Sequence, residues 1–353
     1  MKRKEYILLS AALLIAFTSC DKNDPEPAND GDKIDFIATP FHESFIQTDQ
    51  ARGSETGNDD MLDFGVYAYY TADAFIPGTS TPNFMCNTRV EKTSGTWTYE
   101  PLMFWPNNGN LSFFAYSPYA SQGDSYTSLS STSSTAGYPQ LTYTVPDDVI
   151  TQRDLLVSVP LLNQTKTSRN ADGKLPLTFR HALSCIVFKA KMTDACDFPV
   201  KVTSITLGNF KNKATLSYDV GNTPGTFSWT PTEDASDKSY MLTINNGLLK
   251  DVNLKTITTT YQPISTDNAS LMLLPQGIDD SDEIKVTVEY QATGNIQTPT
   301  ITVPLNRIIN TLIAGQRYSI NILVSTLADL TLTCTVESWH ALAELDAALL
   351  KRY

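Results

Sequence analysis

The feature that most constrains this chain is a succession of short runs in which apolar, aromatic or β-branched residues recur at close spacing, with almost no helical period between them. The first half holds "KIDFIATPF", "DFGVYAYY", "TWTYE", "NLSFFAYSPY" and "QLTYTVP". The second holds "CIVFKAKM", "KVTSITLGNF", "ATLSYDV", "SLMLLP", "EIKVTVEY", "TITVPL", "RYSINILV" and "LTLTCTVESW". Runs of this kind, bounded by turn residues, predict an all-β chain of antiparallel sandwiches. The 353 residues exceed what one sandwich needs and suit two domains. One helical pattern stands out, "HALAELDAALLKRY", where Leu342, Leu345 and Leu349 share a face; it reads equally as extended.

The start of the chain follows a different logic. Lys2, Arg3 and Lys4 precede an apolar run from Tyr6 to Phe17, after which come Thr18, Ser19 and Cys20. A bilayer-spanning helix needs roughly 20 mostly apolar residues, so this run is a signal-peptide core and residues 1–19 read as a secretory signal. Phe17-Thr18-Ser19-Cys20 resembles the lipobox of bacterial lipoproteins, with cleavage between Ser19 and Cys20 and a diacylglycerol on the Cys20 sulfur. It departs from the commonest form, which has Leu where Phe17 stands and Gly or Ala where Ser19 stands. Each buried lipid CH₂ contributes about 0.8 kcal/mol, so several acyl chains would anchor the chain at a membrane without a spanning helix. The acidic stretch Asp21–Asp30 resembles the export tag that sends some such lipoproteins to the outer face of the outer membrane.

Residues 20–33 are polar and acidic, as a tether would be. Ser121–Gly137 is Ser/Thr-rich and reads as a surface loop. Asn163–Lys174 has the composition of a linker and places the boundary between a first sandwich, 34–170, and a second, 171–353.

The chain carries 26 basic and 38 acidic residues; the signal holds three of the former and one of the latter, leaving a net charge of −14. A binder of phosphate needs a basic face, which argues against nucleic acid as a partner. With Cys20 acylated, Cys86, Cys185, Cys196 and Cys334 remain, and three pairings are open. Their spacing lacks the paired CxxC of a zinc site, so buried or loop thiols are the simpler reading. His42-Glu43 begins like a zincin motif, but Ile46 occupies the place of the second histidine. GxSxG, Walker A and GxGxxG patterns are absent. His181 and His340 read as structural, and no enzyme, cofactor or metal is expected. Phe104, Trp105, Phe113, Phe114, Tyr116 and Tyr119 crowd one segment. In a strand they would populate both faces, and a doubly covered strand is favoured over a platform for stacking sugars.

"DFGVYAYY", "FWPNNGNLSFFAYSPYA", "LTFRHALSCIVFKAKM", "LMLLPQG", "AGQRYSINILV" and "VESW", in this order behind a lipobox, resemble the fimbrillin family of type V pilus subunits of Gram-negative anaerobes. The resemblance implies two transthyretin-like antiparallel β-sandwich domains in tandem, export as an outer-membrane lipoprotein, and a place in a fimbrium after processing. It implies as partners other pilin subunits and an extracellular arginine-specific protease, whose cut removes an N-terminal strand so that a strand of a neighbouring subunit fills the groove. The residues supply the parts. Ile34, Phe36, Phe41 and Phe45 lie in an extended apolar segment, and "TDQARGSETGNDD" follows it as a polar loop with one basic residue. Cleavage is therefore expected between Arg52 and Gly53, with Arg169 as the competing site and a plain surface role for Arg52 as the alternative. Family stalk subunits offer an extended C-terminal donor strand, whereas Ala341–Leu350 reads equally as helix. That leaves open a tip, anchor or accessory role, or a monomeric surface lipoprotein that binds a glycan or host protein.

Overall fold

The computed structural model describes residues 32–40, 61–219, 226–266, 269–292, 294–325 and 330–339. Strands and three short 3₁₀ turns are the regular elements among them. The first part contains β1 (Phe36–Pro40), β2 (Asp63–Thr71), β3 (Met85–Thr93), β4 (Thr96–Thr98) and β5 (Asn110–Ser117). It continues with β6 (Thr127–Leu129), β7 (Leu141–Thr144), β8 (Leu156–Ser158), β9 (Leu161–Gln164) and β10 (Leu175–His181). Eight of these form a sheet in the order β1-β10-β8-β5-β2-β3-β4, with β9 beside β5.

The second part opens with β11 (Ser184–Met192), β12 (Val200–Lys211), β13 (Lys213–Asp219), β14 (Thr226–Pro231) and β15 (Asp237–Thr243). Shorter strands follow: β16 (Gln262–Pro263), β17 (Leu271–Leu273) and β18 (Gln276–Gly277). The last are β19 (Glu283–Ala292), β20 (Asn295–Gln297), β21 (Thr300–Pro304), β22 (Thr311–Leu312), β23 (Gln316–Val324) and β24 (Leu330–Ser338). They build the sheets β16-β11-β23-β24 and β15-β12-β19-β20, with β17 beside β11 and β21 beside β19. A further sheet, β14-β13-β7-β6, mixes strands of both parts, and β18 pairs with β22. Pairing is antiparallel except for β1 with β10 and β11 with β23.

The aromatic strands β2 and β5 are covered on both faces, which is why they read as near-continuous apolar runs. Phe64, Val66, Ala68 and Tyr70 of β2 join Phe113 and Ala115 of β5 in one core, with Ile34, Phe36, Leu175, Leu177 and Phe179. Tyr67, Tyr69, Phe114 and Tyr116 project the other way, into a larger core that continues through β11, β12, β19 and β23. The crowded aromatic segment is thus a doubly covered strand. The glycine of "DFGVYAYY" has a steric cause: a Cβ at Gly65 would lie 2.4 Å from Tyr116 Cε1.

Two expectations require correction. Residue 170 does not separate two sandwiches, because β10 lies beyond it yet pairs with β8 and β1 in the first sheet. The reason is the alternation of Leu175, Leu177 and Phe179, each buried in the first core. Asn163–Lys174 is instead a surface turn inside that sheet, holding the end of β9 and a 3₁₀ turn over Lys166–Ser168. The chain passes to the later sheets at Ala182 and Leu183, which are fully buried and carry no linker composition. Likewise Ser121–Gly137 is not all loop, since β6 within it pairs with β7. The tail beyond Trp339 lies outside the described residues.

Candidate functional site

The site begins with an alternation. In "KIDFIATP" the side chains of Ile34 and Phe36 are 0% and 2% exposed, so the segment behaves as a strand with one inward face. Its outer partners are a loop and a strand. Ile34 N donates to Met103 O at 2.9 Å, and Trp105 N donates to Asp32 O at 2.8 Å. Further along, β1 runs parallel to β10 with Phe36 opposite Leu175, Ala38 opposite Leu177 and Pro40 opposite Phe179. Leu175 N closes the start of that ladder on Asp35 O at 2.7 Å.

Aromatic rings define the pocket for Phe36. Its ring lies 5.9 Å from Phe64, 5.6 Å from Tyr99 and 6.0 Å from Phe113, centroid to centroid. Edge-to-face and tilted contacts of this kind add to the burial of the rings themselves. Tyr99 also donates its hydroxyl to Ile34 O at 2.7 Å, and burial pushes its pKa upward, so it remains a donor at any physiological pH. Burying Ile34 and Phe36 stabilises the docked strand by about 1.5–3 kcal/mol each. Among the described residues β1 is the edge of its sheet, with β10 as its one ladder neighbour. An edge strand can leave without breaking any other ladder, and its departure would present β10 with unpaired backbone groups and an apolar trench.

The remaining candidates fall at defined places or outside the described chain. Ser19, Cys20, Arg52 and Gly53 lie outside it, as do Phe41, Phe45, His42 and His340. Arg169 is on the surface turn before β10; its guanidinium is 3.8 Å from Asp32 and its Nε donates to Lys166 O at 2.8 Å. The Lys166 ammonium also reaches Asp32, at 3.3 Å. Both cations therefore brace the start of the docked segment.

His181 closes β10, and its Nδ1 lies 2.8 Å from Asp154 Oδ2. The two side chains are 1% and 0% exposed, so solvent and substrate do not reach them. No spacing in the chain pointed to Asp154. The slot's other wall, Tyr99 and β10, was equally illegible, because it joins residues far apart in sequence. Cys86, Cys185, Cys196 and Cys334 are all thiols, none of them in a disulfide.

Fold and site together define an all-β protein whose distinguishing feature is an inserted edge strand. The chain belongs to the fimbrillin-like family, whose sequence profile matches residues 51–339. Among proteins of known role it resembles the fimbrium subunit Fim1C of Phocaeicola vulgatus, at 30% identity over 241 residues. That match spans 62% of this chain and 61% of the relative's length. A crystal structure of a fimbrial protein from Bacteroides vulgatus superposes with a TM-score of 0.66 at 22% identity, covering 87% of this chain and 99% of that one. That structure shares the fold.

Proposed function

We propose that this protein is a structural subunit of a cell-surface pilus that acts in adhesion. It is exported as a lipoprotein on Cys20 and made competent for assembly by loss of its first strand. An extracellular arginine-specific protease cuts between Arg52 and Gly53. β1 then leaves, and a strand from a neighbouring subunit takes its place along β10. The observation that carries this reading is the position of the β1 segment: buried through Ile34 and Phe36, yet at the sheet edge and joined to β2 through residues 41–62.

The covalent link explains the order of events. While it is intact, β1 rebinds intramolecularly, at an effective concentration of the order of millimolar. Cutting it turns β1 into a separate peptide that another strand can replace by mass action. The incoming strand satisfies the ladder and the trench together, which is strand addition. Used head to tail, such a contact does not close and gives a fibre. No nucleotide or metal is required, because burial and a completed ladder supply the free energy.

The test is electron microscopy of purified protein before and after treatment with an arginine-specific protease, with N-terminal sequencing of the product. Fibres after a cut that leaves Gly53 first support the proposal. A chain cut at Arg169 alone, or trimmed at Arg52 and still monomeric, overturns it; retention of that monomer on immobilised glycans would indicate a binding module instead.

A further inference from the structure

The segment in which the chain passes from the first sheet to the later ones is clamped from the C-terminal side by two tryptophans. Trp229 of β14 donates its Nε1–H to Ala182 O at 2.8 Å. Trp339, which directly follows β24, lays its ring against the His181 imidazole with centroids 4.0 Å apart and planes within 6°. Asp154 holds that imidazole in place from its Nδ1 edge. The backbone repeats the connection: Gly315 N donates to Leu183 O at 2.8 Å, and Trp339 N donates to Gly315 O at 2.7 Å. The end of the last described strand is therefore fastened to the base of β10.

β10 is also the strand on which β1 sits. Its ladder with β8 covers Phe179, Arg180 and His181 alone, whereas β1 pairs with Leu175 through Phe179. Take β1 away and, among the described residues, the stretch from Leu175 to Thr178 keeps one backbone bond to the rest of the sheet, from Val159 N to Thr178 O at 2.8 Å. One short strand thus carries two loads, the edge strand at its start and the tryptophan stack at its end. The docked indole is itself held by stacking and burial, since its Nε1–H meets no acceptor among the described residues. A buried donor left in that state subtracts from the gain of docking, which makes the stack a contact that modest changes in β10 can undo.

We propose that the Trp339–His181 stack is a latch coupled to β1 through β10: with β1 in place Trp339 is docked, and when β1 leaves Trp339 undocks. The two ends of the protein are then linked. Such a coupling is reciprocal, so removing the latch loosens β1 by the factor by which losing β1 loosens the latch. β10 is the physical element that both contacts bias.

The inference rests on reading β1 as a removable strand, but its test is made on the intact chain without protease. Fluorotryptophan labelling gives one resonance for each of the four tryptophans, and Trp339→Phe assigns that of Trp339. In a Phe36→Ala chain the Trp339 resonance is expected to move toward its position in denatured protein while that of Trp229 stays. In a Trp339→Ala chain the amides of β1 and of Leu175–Thr178 are expected to exchange about tenfold faster, with the β12–β19 ladder unchanged. Trp339→Phe, which keeps a stacked ring, should retain most of the protection. If Phe36→Ala does not fold, Phe36→Leu provides the same measurement at lower cost to the core. The proposal is overturned if β1 amides open in the Phe36 variant and Trp339 does not move, or if exchange in Trp339→Ala rises only beside residue 339. Failure to form fibres after trimming would count against strand replacement and leave this linkage, measured in uncut protein, standing.

Discussion

The hydroxyl of Tyr99 and the carbonyl of Ile34, 65 positions apart in sequence, meet in a 2.7 Å hydrogen bond buried beneath β1. Tyr99 stands on the loop beside the segment and Ile34 within it, so this bond fastens the segment to the body of the domain. Tyr99→Phe keeps the ring against Phe36 and removes the donor. A buried carbonyl left unpaired costs about 1–3 kcal/mol. Amide exchange over residues 32–40 should therefore rise roughly tenfold or more, while the second core is unaffected; equal exchange in the two proteins would show that the bond does not hold the segment.

Phe36→Ala probes the slot from its apolar side. Deleting a buried phenylalanine ring elsewhere in a core costs about 3–5 kcal/mol. Here the loss is bounded, because an edge strand can open by itself and spare the rest of the domain the cavity. The expected result is protease sensitivity in the segment ahead of residue 61 and, through the coupling along β10, next to Trp339, with a smaller fall in the denaturant midpoint of the remainder. A midpoint that drops by the whole cavity cost would mean that β1 and the first core unfold together.

Gly65→Ala tests the close approach in the second strand. Its new Cβ would fall 2.4 Å from Tyr116 Cε1 and 2.6 Å from Asn87 Oδ1. Tyr116 has little room to yield, since its hydroxyl donates to Asn87 Oδ1 at 2.7 Å. Overpacking of this kind costs about 1–3 kcal/mol. Equilibrium unfolding should show that loss. It should also show that Gly65→Ala and Tyr116→Ala together lose less than the sum of their separate effects, as residues in contact do.

Tyr67 gives the opposite expectation. Its ring is 1% exposed in the larger core, and its hydroxyl has no hydrogen-bond partner among the described residues. It lines a cavity with space for about 10 Å³, room for a single water at most. Tyr67→Phe removes an unpaired polar group and should leave stability unchanged or raise it by about 1 kcal/mol. A clear loss in thermal or urea unfolding would reveal a bound water that the hydroxyl holds.

Thirteen of the 24 described strands were legible in the sequence, because burial of an inward face writes a local pattern. Every apolar run read from the chain contains a strand, and Ile34 and Phe36 announced the slot's occupant. Of the strands that escaped notice, most are only two to seven residues long; β3 is longer, but its run, "MCNTRVEKT", is polar along most of its length and is broken by Asn87 at φ 51°. The boundary at residue 170 failed for a related reason: turn composition marks a surface excursion, whether or not a domain ends there. What pairs with what is written nowhere locally. The parallel register of β1 on β10, the Asp154 beside His181 and the tryptophan stacked on it all join residues distant in sequence, and only the folded sheets bring them together.

Cys334 supplies the last test, in the strand that carries the latch. Its side chain points toward the larger core from the edge strand β24, and burial pushes the thiol pKa from the ordinary value near 9 up to about 11. Cys86 is shifted in the same direction by the same cause. Reaction with an alkylating reagent requires the thiolate. At pH 8 a thiol of pKa about 11 is ionised roughly one part in a thousand, against about one in ten for a thiol near 9. Labelling of Cys334 in folded protein should therefore be about a hundredfold slower than in denaturant, and should climb tenfold per pH unit up to about 11. The sign for stability follows from the same shift. The folded chain holds its proton through the range in which the unfolded thiol, with its ordinary pKa near 9, gives its own up. The contribution is complete below pH 8 and is lost as pH rises from about 9 to 11. Mass spectrometry of pulse-labelled protein reads both states at once. Fast labelling of Cys334 at pH 8 in native conditions would mean that β24 leaves its sheet on the time scale of the pulse, and with it the anchor of Trp339.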